Sequence, residues 1–350
     1  MKLLMITRKV DRSEHLAGFI YNWVKKMSTV VDQLIVISWQ AGDSSGLPEN
    51  VRVIHLPTKQ SKVLKVINFK KVLWQNIKKV DGVFCHQMPL YTILAAPLAK
   101  LYGKKVVSWY THGQVDWKMK LMEKLADVIL TASKESFRLP SKKVKVVGHG
   151  IDLDIFRRAS TAHNHMGTAL ISVGRISPTK DYETMIKAVQ LLTSGGLNDI
   201  RLSIIGDVGL VSQNMYLTDL KTMITKMNLQ DKVVFLGAKP NHEIAADLQH
   251  ADIFINLSGT GSLDKAVLEA MACGCLVLTS NEAFDKILPA ELKTQRDNPQ
   301  MLAEKIKQIM VLPDERKQQL RSQLRQEVVA NHNLDNLVKT IVSQFNGKTS

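Results

Sequence analysis

Two short stretches in the second half of this 350-residue chain carry side chains suited to chemistry on a phosphorylated ligand. The first reads Gly174-Arg-Ile-Ser-Pro-Thr-Lys-Asp181 and places Arg175 and Lys180 beside one glycine. Two cations in one loop suit a diphosphate leaving group, and a glycine lets the backbone approach a ligand closely. The same pattern also occurs in ordinary turns, so a purely structural role for this loop stays open. Asp181 is expected to cap the helix that follows.

The second stretch spans residues 257–281 and combines a small-residue loop with a helical segment. Apolar segments flank both, which predicts a βαβ unit with the loop at the carboxyl end of a strand. Backbone N–H groups from Ser262 to Lys265 would then face a phosphate or a sugar hydroxyl. Asp264 and Glu269 are the carboxylates available there to accept hydrogen bonds from hydroxyls. Gly274 is expected to end the helix.

A histidine in the first half is the third candidate group. His112 follows an apolar segment that ends in Trp109-Tyr-Thr-His-Gly113, where it could hydrogen-bond a substrate. A single histidine is more often structural, and His86 and His149 occupy comparable positions as weaker candidates. Neither the histidines nor the three cysteines show metal-ligand spacing, so we expect no bound metal and no cofactor.

Strand-length apolar segments alternate with helical segments along the whole chain, which predicts an α/β protein with parallel sheets. The length suits two domains. We expect the first over residues 1–160 and the second over 161–330. A terminal helix within 331–350 could pack back on the first domain. A short helix is also expected to start at Ser133.

The positive charge is confined to the first half of the chain. Residues 1–150 hold 25 of the 47 basic but only 10 of the 32 acidic residues, so the net charge of +15 falls there. This asymmetry favours an anionic partner, either membrane lipid or nucleic acid. Nucleic acid is disfavoured because no aromatic platform or recognisable binding module accompanies the lysines.

Residues 58–80 carry seven lysines interleaved with apolar residues at the helical period. Two interpretations remain open. One is an ordinary surface helix with solvated lysines. The other is a helix lying on anionic lipid, where each lysine near the surface contributes about 1 kcal/mol. The chain shows neither a signal peptide nor an apolar run of the roughly 20 residues that a membrane span needs. We therefore expect a cytoplasmic protein with a peripheral contact at the inner face of the membrane.

Four stretches taken in order resemble the retaining GT-B glycosyltransferases of the "glycosyl transferases group 1" (family 4) type. They are Trp109–Gly113, Gly148–Asp152 with Phe156, Val173–Lys180 and Leu268–Gly274. The resemblance implies a GT-B fold, with two Rossmann-like parallel-sheet domains facing across a cleft. It implies transfer of a hexose-type sugar from a nucleotide-sugar donor to a glycan or lipid-linked acceptor, without a metal.

The resemblance also implies roles for individual residues. Arg175 and Lys180 would hold the diphosphate, Glu269 would accept from the ribose hydroxyls, and His112 would approach the donor sugar. Further donor contacts would come from small or backbone groups, namely Gly174, Gly206, Gly237, Ser262, Leu263 and Lys265.

The sequence departs from this family at two places. The first of the family's two glutamates falls at Gly261, and Asp264 is the carboxylate expected to replace it. The usual glycine pair near the N-terminus is missing, so Asp11 and Gly18 are the remaining acceptor-side candidates. Two alternatives stay open, a nucleotide-sugar epimerase of GT-B fold and a basic nucleic-acid-binding protein.

Overall fold

The computed structural model describes most of the chain, namely residues 1–14, 18–158, 167–209 and 211–346. The chain forms two compact units. The first comprises residues 1–152 together with 331–350, and the second comprises residues 153–330. The domain boundary predicted after residue 160 lies in the segment 159–166, outside the described residues.

The first unit contains a seven-stranded sheet in the order β3-β2-β1-β4-β5-β6-β7, with parallel pairing throughout. Its strands are β1 (Lys2–Lys9), β2 (Gln33–Gln40), β3 (Val51–His55), β4 (Gly82–His86), β5 (Lys105–Trp109), β6 (Val128–Thr131) and β7 (Val144–Val146). The central strands are rich in Leu, Ile, Val and Phe residues, which are buried. Such continuous apolar runs are typical of a parallel sheet covered by helices.

The helices among the described residues of this unit are α1 (Gly18–Ser28), α2 (Lys62–Ile77), α3 (Pro89–Leu101), α4 (Trp117–Leu125) and α11 (Leu334–Ser343). Phe69, Leu73 and Ile77 of α2 join the buried core formed with the sheet and α3. Helix α11 packs against α1, where Lys26 Nζ lies 3.0 Å from Asp335 Oδ1. The short helix predicted from Ser133 is wrong. The segment forms a single turn in which Ser133 Oγ accepts a hydrogen bond from the Ser136 N–H at 3.2 Å. Pro140 follows closely and disfavours helical backbone at Leu139, so the turn does not continue into a helix.

The second unit contains a five-stranded parallel sheet in the order β10-β9-β8-β11-β12. Its strands are β8 (Thr168–Val173), β9 (Ile200–Ile205), β10 (Val233–Gly237), β11 (Ile253–Asn256) and β12 (Leu276–Thr279). Its helices are α5 (Tyr182–Ser194), α6 (Asn214–Lys226), α7 (Asn241–Gln249), α8 (Lys265–Cys273), α9 (Pro299–Met310) and α10 (Asp314–Asn331), the last of which ends at the unit's boundary. Two parallel-sheet α/β units confirm the fold class predicted from the alternating segments.

Each sheet has one point where the chain reverses the direction in which it adds strands. In the first unit this point lies between β1 and β4, and in the second it lies between β8 and β11. Ligands of open α/β sheets bind beside the carboxyl ends of the strands at such a point. The predicted site residues are therefore expected at these two positions.

Candidate active site

Three of the predicted glycines meet at the carboxyl ends of neighbouring strands of the second unit. The Gly174 N–H donates to the Ile205 carbonyl at 2.9 Å, and the Gly206 N–H donates to the Gly237 carbonyl at 2.8 Å. Gly206 has a φ of +145°, and a Cβ on it would lie 1.8 Å from the Gly174 carbonyl oxygen. Only glycine fits there, because a side chain would push β8 and β9 apart where the backbone is exposed to a ligand.

Arg175 and Lys180 emerge from the loop that follows β8. Arg175 is exposed, and its stem lies against Gly209, where an added Cβ would meet Arg175 Cδ at 3.0 Å. No carboxylate of the described residues pairs with it. Its guanidinium can therefore meet an anion without breaking an ion pair.

Asp181 shapes the end of this loop. It has a φ of +52° and accepts a hydrogen bond from the Thr184 N–H at 3.4 Å, so it caps α5 as predicted. Its other oxygen accepts from the Asp297 N–H at 2.9 Å. These bonds hold the short 3₁₀ turn Pro178–Lys180, and they hold the Lys180 backbone with it.

Lys180 pairs with Asp264, the residue that begins α8. Its ammonium donates to Asp264 Oδ2, which also accepts from Asn256 Nδ2 at 3.0 Å. Asp264 Oδ1 accepts from the Ala266 N–H at 3.3 Å and caps the helix. Burial by itself would raise the pKa of Asp264, but the charge and the hydrogen bond of Lys180 outweigh it and hold the pKa below its ordinary 3.8. The group is therefore a carboxylate at neutral pH.

The pKa of the second carboxylate of α8, that of Glu269, is shifted in the opposite direction. Glu269 is 6% exposed, and its Oε1 lies 3.3 Å from Lys265 Nζ, one helical turn earlier. Burial raises the pKa of Glu269 above its ordinary 4.5, and the neighbouring Lys265 only partly offsets this. Helix α8 then ends at Gly274, as predicted, with a φ of +88°.

The loop between β11 and α8 is held by side chains that sequence reasoning missed. Asn281 Nδ2 donates to the Ser262 carbonyl at 2.8 Å, and Thr279 Oγ1 donates to Asn256 Oδ1 at 3.2 Å. Gly261 has a φ of +61°, a conformation that favours glycine over the glutamate usual at this position. Leu263 is buried beneath the loop. Asn256 and Asn281 stand at or just after the ends of two successive strands, and these positions were the signal from which the sequence could have predicted this hydrogen-bond network.

Arg296 is a further cation that the sequence did not single out. Its guanidinium lies over Gly259, where an added Cβ would meet NH1 at 2.1 Å, and its NH2 is 3.4 Å from the Pro178 carbonyl. The Gly259 N–H donates to the Thr179 carbonyl at 3.1 Å. Arg296 therefore ties the loop before α8 to the loop that carries Lys180.

The candidates of the first unit lie at the carboxyl edge of its own sheet. His112 is exposed in the loop after β5. Asp11 follows β1, two strands away in the sheet, which corresponds to roughly 10 Å. Asp11 is buried, pairs with Lys9 Nζ at 2.8 Å and accepts from the Ser13 N–H at 3.0 Å. Burial alone would raise the pKa of Asp11, but these bonds lower it, so its charge is satisfied internally. Gly18 begins α1, and nothing lies within 4 Å of an added Cβ.

His86 occupies the point of strand reversal in this sheet. It ends β4, and its Nδ1 lies 3.0 Å from Thr7 Oγ1 on β1. It is buried, and the rings of Phe19, Trp23 and Phe84 lie around it, with the Trp23 ring centre 4.8 Å away. His86 is therefore a core histidine, whereas His112 is the one that solvent reaches.

Two parallel α/β units, with cations and a capped helix at the strand reversal of the second, define a protein of the GT-B class. The family description "Glycosyl transferases group 1" matches residues 155–327, nearly the whole of the second unit. The second unit thus matches the glycosyl transferases group 1 family over almost its whole length.

Relatives and solved structures agree with this assignment. The putative colanic acid biosynthesis glycosyltransferase WcaL of Salmonella typhimurium is 30% identical over 186 residues, covering 51% of this chain and 44% of WcaL. The amylovoran biosynthesis glycosyltransferase AmsK of Erwinia amylovora is 31% identical over 150 residues, covering 41% and 35%. The chain thus spans less than half the length of these relatives.

A solved structure resembles the chain along its whole length. Alr3699/HepE from Anabaena, solved in complex with UDP and glucose, has a TM-score of 0.78 at 15% identity, covering 99% of this chain and 100% of HepE. At that identity the likeness establishes the fold alone. Among the described residues, no helix has both the length and the apolar character needed to cross a membrane.

Proposed function

We propose that this chain is a retaining glycosyltransferase that moves a hexose-type sugar from a nucleotide-sugar to a glycan or lipid-linked acceptor. The observation that carries the proposal is the pairing of Lys180 with Asp264 at the start of α8, inside a glycosyl transferases group 1 domain. An ammonium held beside a helix N-terminus is placed for a diphosphate.

Departure of a nucleoside diphosphate requires positive charge where the new negative charge develops. Arg175 and Lys180 supply two cations at the strand reversal, so the reaction proceeds without a metal in this proposal. Lys180 has three N–H donors and uses one on Asp264, which leaves the others for phosphate oxygens. Asp264 thereby also positions Lys180, in addition to its proposed contact with the sugar.

The remaining residues bind the rest of the donor. Glu269 accepts from the ribose hydroxyls, and the backbone at Ser262, Leu263 and Lys265 binds sugar and phosphate. Backbone groups at Gly174, Gly206 and Gly237 surround the base and ribose. UDP-glucose is the first donor to test, because HepE is solved with UDP-glucose as well as with UDP.

The acceptor side of the proposal rests on exposed apolar residues of the first unit. We define the apolar rim as Val63, Leu64, Ile67, Met88, Val115 and Trp117, which are all exposed. In a parallel sheet, the helix after each strand begins at the carboxyl edge, and these residues lie at the starts of α2, α3 and α4. The rim therefore lies at the sheet edge that also carries His112.

Lysines complete this surface. Helix α2 adds exposed Lys62, Lys70, Lys71 and Lys78 to its exposed Val63, Ile67 and Trp74. Solvated lysines alone would fit an ordinary surface helix, but several exposed large apolar residues among them favour an anionic membrane at the cytoplasmic face. A lipid-linked acceptor would then reach His112 from that membrane.

The test is a transfer assay with purified protein. It uses UDP-, GDP- and ADP-hexoses as donors and a membrane extract that contains lipid-linked acceptors. A thermal-shift screen selects the donor first, because a ligand at 100 times its Kd adds about 2.7 kcal/mol to the free energy of unfolding. Transfer that requires acceptor and is lost in Arg175→Ala supports the proposal. Turnover of donor without acceptor identifies an epimerase instead, and a DNA shift at physiological salt without donor binding overturns the proposal.

A further inference from the structure

A charged cavity lies in the second unit at the end of the sheet away from the candidate active site. It encloses about 200 Å³. Three of its lining residues, Thr168, Ile253 and Leu276, are the first residues of β8, β11 and β12. The cavity therefore opens at the amino ends of the strands, whereas Gly174 and Asp264 follow their carboxyl ends. Nothing in the proposed transfer reaction uses it.

The cavity contains a guanidinium whose hydrogen-bonding capacity is unused. The Arg321 side chain is 25% exposed, and its Nε is buried without a hydrogen-bond partner. The nearest carboxylate oxygen, Asp252 Oδ1, lies 3.8 Å from NH2, which is beyond hydrogen-bond length. Asp252 is meanwhile bound elsewhere, since its Oδ2 accepts from the Ala169 N–H at 2.9 Å. A buried donor without a hydrogen-bond partner lowers the stability of the fold. A ligand with several hydrogen-bond acceptors would therefore bind favourably at this guanidinium.

A second cation lines the same cavity. Lys317 Nζ donates to the Met310 carbonyl at 2.9 Å and keeps two further N–H donors. Its acidic neighbour Asp314 is 3.7 Å away and 90% exposed, so solvent screens that pair. Two cations thus face one lining carboxylate, Asp252, and the cavity favours an anion.

The size of the cavity restricts the class of ligand. Pockets for drug-sized molecules commonly measure about 300–1,000 Å³. A space of about 200 Å³ suits a small ion or one end of a larger molecule. Arginine binds planar or tetrahedral oxyanions through parallel N–H bonds, and lysine adds a point charge.

We propose that this cavity, bounded by Asp252, Lys317 and Arg321, binds a phosphate group. The phosphate is either free inorganic phosphate or the phosphoryl end of a small phosphomonoester. Arg321 binds two of its oxygens and Lys317 a third. The site is independent of the proposed transferase activity, so its test needs no donor or acceptor.

Phosphate binding is measured on the full chain by calorimetry, using inorganic phosphate and, separately, glycerol phosphate. The background is Arg175→Gln with Lys180→Gln, which removes the two cations of the donor site. We expect Arg321→Gln in that background to weaken binding about tenfold to hundredfold, since a charge-assisted hydrogen bond is lost. Lys317→Gln should weaken it less. Tighter binding of the phosphomonoester than of phosphate would identify the phosphoryl end as the ligand, and the reverse would identify the free ion.

Arg316→Gln is the matched control, because it removes the same charge from the same helix but does not line the cavity. It should leave phosphate affinity within about twofold, because the guanidinium of Arg316 is paired with Glu291 instead. Asp252→Asn should tighten binding because it removes the opposing negative charge. Equal losses in Arg316→Gln and Arg321→Gln, or no binding of either probe in the background protein, would overturn the proposal. If Arg321→Gln unfolds, Arg321→Lys and Lys317→Gln decide the same question.

Discussion

The ammonium of Lys180 is paired with the carboxylate of Asp264, 84 residues later in the chain. The same carboxylate accepts from Asn256 at the end of β11 and caps α8 through the Ala266 N–H. A strand end, a helix start and a loop cation are therefore joined through one side chain. Its substitution should consequently affect catalysis and the local structure in separable ways.

Lys180→Ala should lower kcat about 10²- to 10³-fold, which is the usual cost of removing one group that stabilises developing negative charge. Steady-state transfer with the identified donor measures this. Lys187→Ala is the control, because Lys187 is an exposed lysine on the helix that follows. An unchanged kcat in Lys180→Ala would show that Lys180 does not stabilise the leaving group.

Asp264→Ala should lower transfer more than it lowers binding of the free nucleotide. The free nucleotide needs the cations, whereas transfer also needs Lys180 to be correctly placed and the sugar to be held. Calorimetry with the nucleotide, set beside kcat, separates the two effects. Equal losses in both would assign Asp264 to donor binding alone.

The two carboxylates of α8 should respond to pH in opposite directions. The folded pKa of Asp264 is lowered, so its stabilising contribution is present above its unfolded value of 3.8 and is lost as pH falls through the folded value. The folded pKa of Glu269 is raised, so its contribution is present below 4.5 and is lost as pH rises through the folded value. Urea unfolding across pH 3–7 should show Asp264→Asn reducing the loss of stability toward acid pH, and Glu269→Gln reducing the loss of stability toward neutral pH. Superimposable curves for the two variants would contradict both assignments.

Gly206→Ala should destabilise the second unit and abolish donor binding. Its Cβ would collide with the Gly174 carbonyl oxygen, and backbone displacement of this kind typically costs about 1–3 kcal/mol. Gly237→Asn is the comparison, because Gly237 also has a positive φ of +74° but open space around it, and asparagine tolerates that region. Thermal unfolding should show a large loss for the first variant and a small one for the second.

Replacing Val63, Leu64 and Ile67 together by Gln should weaken binding to vesicles that contain anionic lipid. Each fully buried aliphatic side chain contributes about 1.5–3 kcal/mol, so partial insertion of three should give a clear loss in flotation. Val311→Gln, an exposed apolar position in the second unit, provides the control. If vesicle binding depends on salt but is unchanged in the triple variant, α2 acts only as a nonspecific basic surface.

Local patterns in the sequence predicted the α/β class, the parallel sheets and the stretches that carry the candidate groups. Strand and helix periodicity, together with glycines at strand ends, are local signals, and they predicted elements such as the capped helix α5 and the end of α8 at Gly274. The turn at Ser133 shows the limit of that reasoning, since a helix-like start with a capping serine is not continued before Pro140.

Contacts between groups far apart in the chain depend on how the elements pack. No local pattern predicts that Lys180 pairs with Asp264, that Asn281 holds the Ser262 carbonyl or that Arg296 lies over Gly259, because each contact depends on strand order and register. The same is true of Arg321 and Asp252, which meet only because α10 packs at the amino ends of β8 and β11. Periodicity determines where elements form, whereas the parallel stacking of strands determines which of their ends become neighbours.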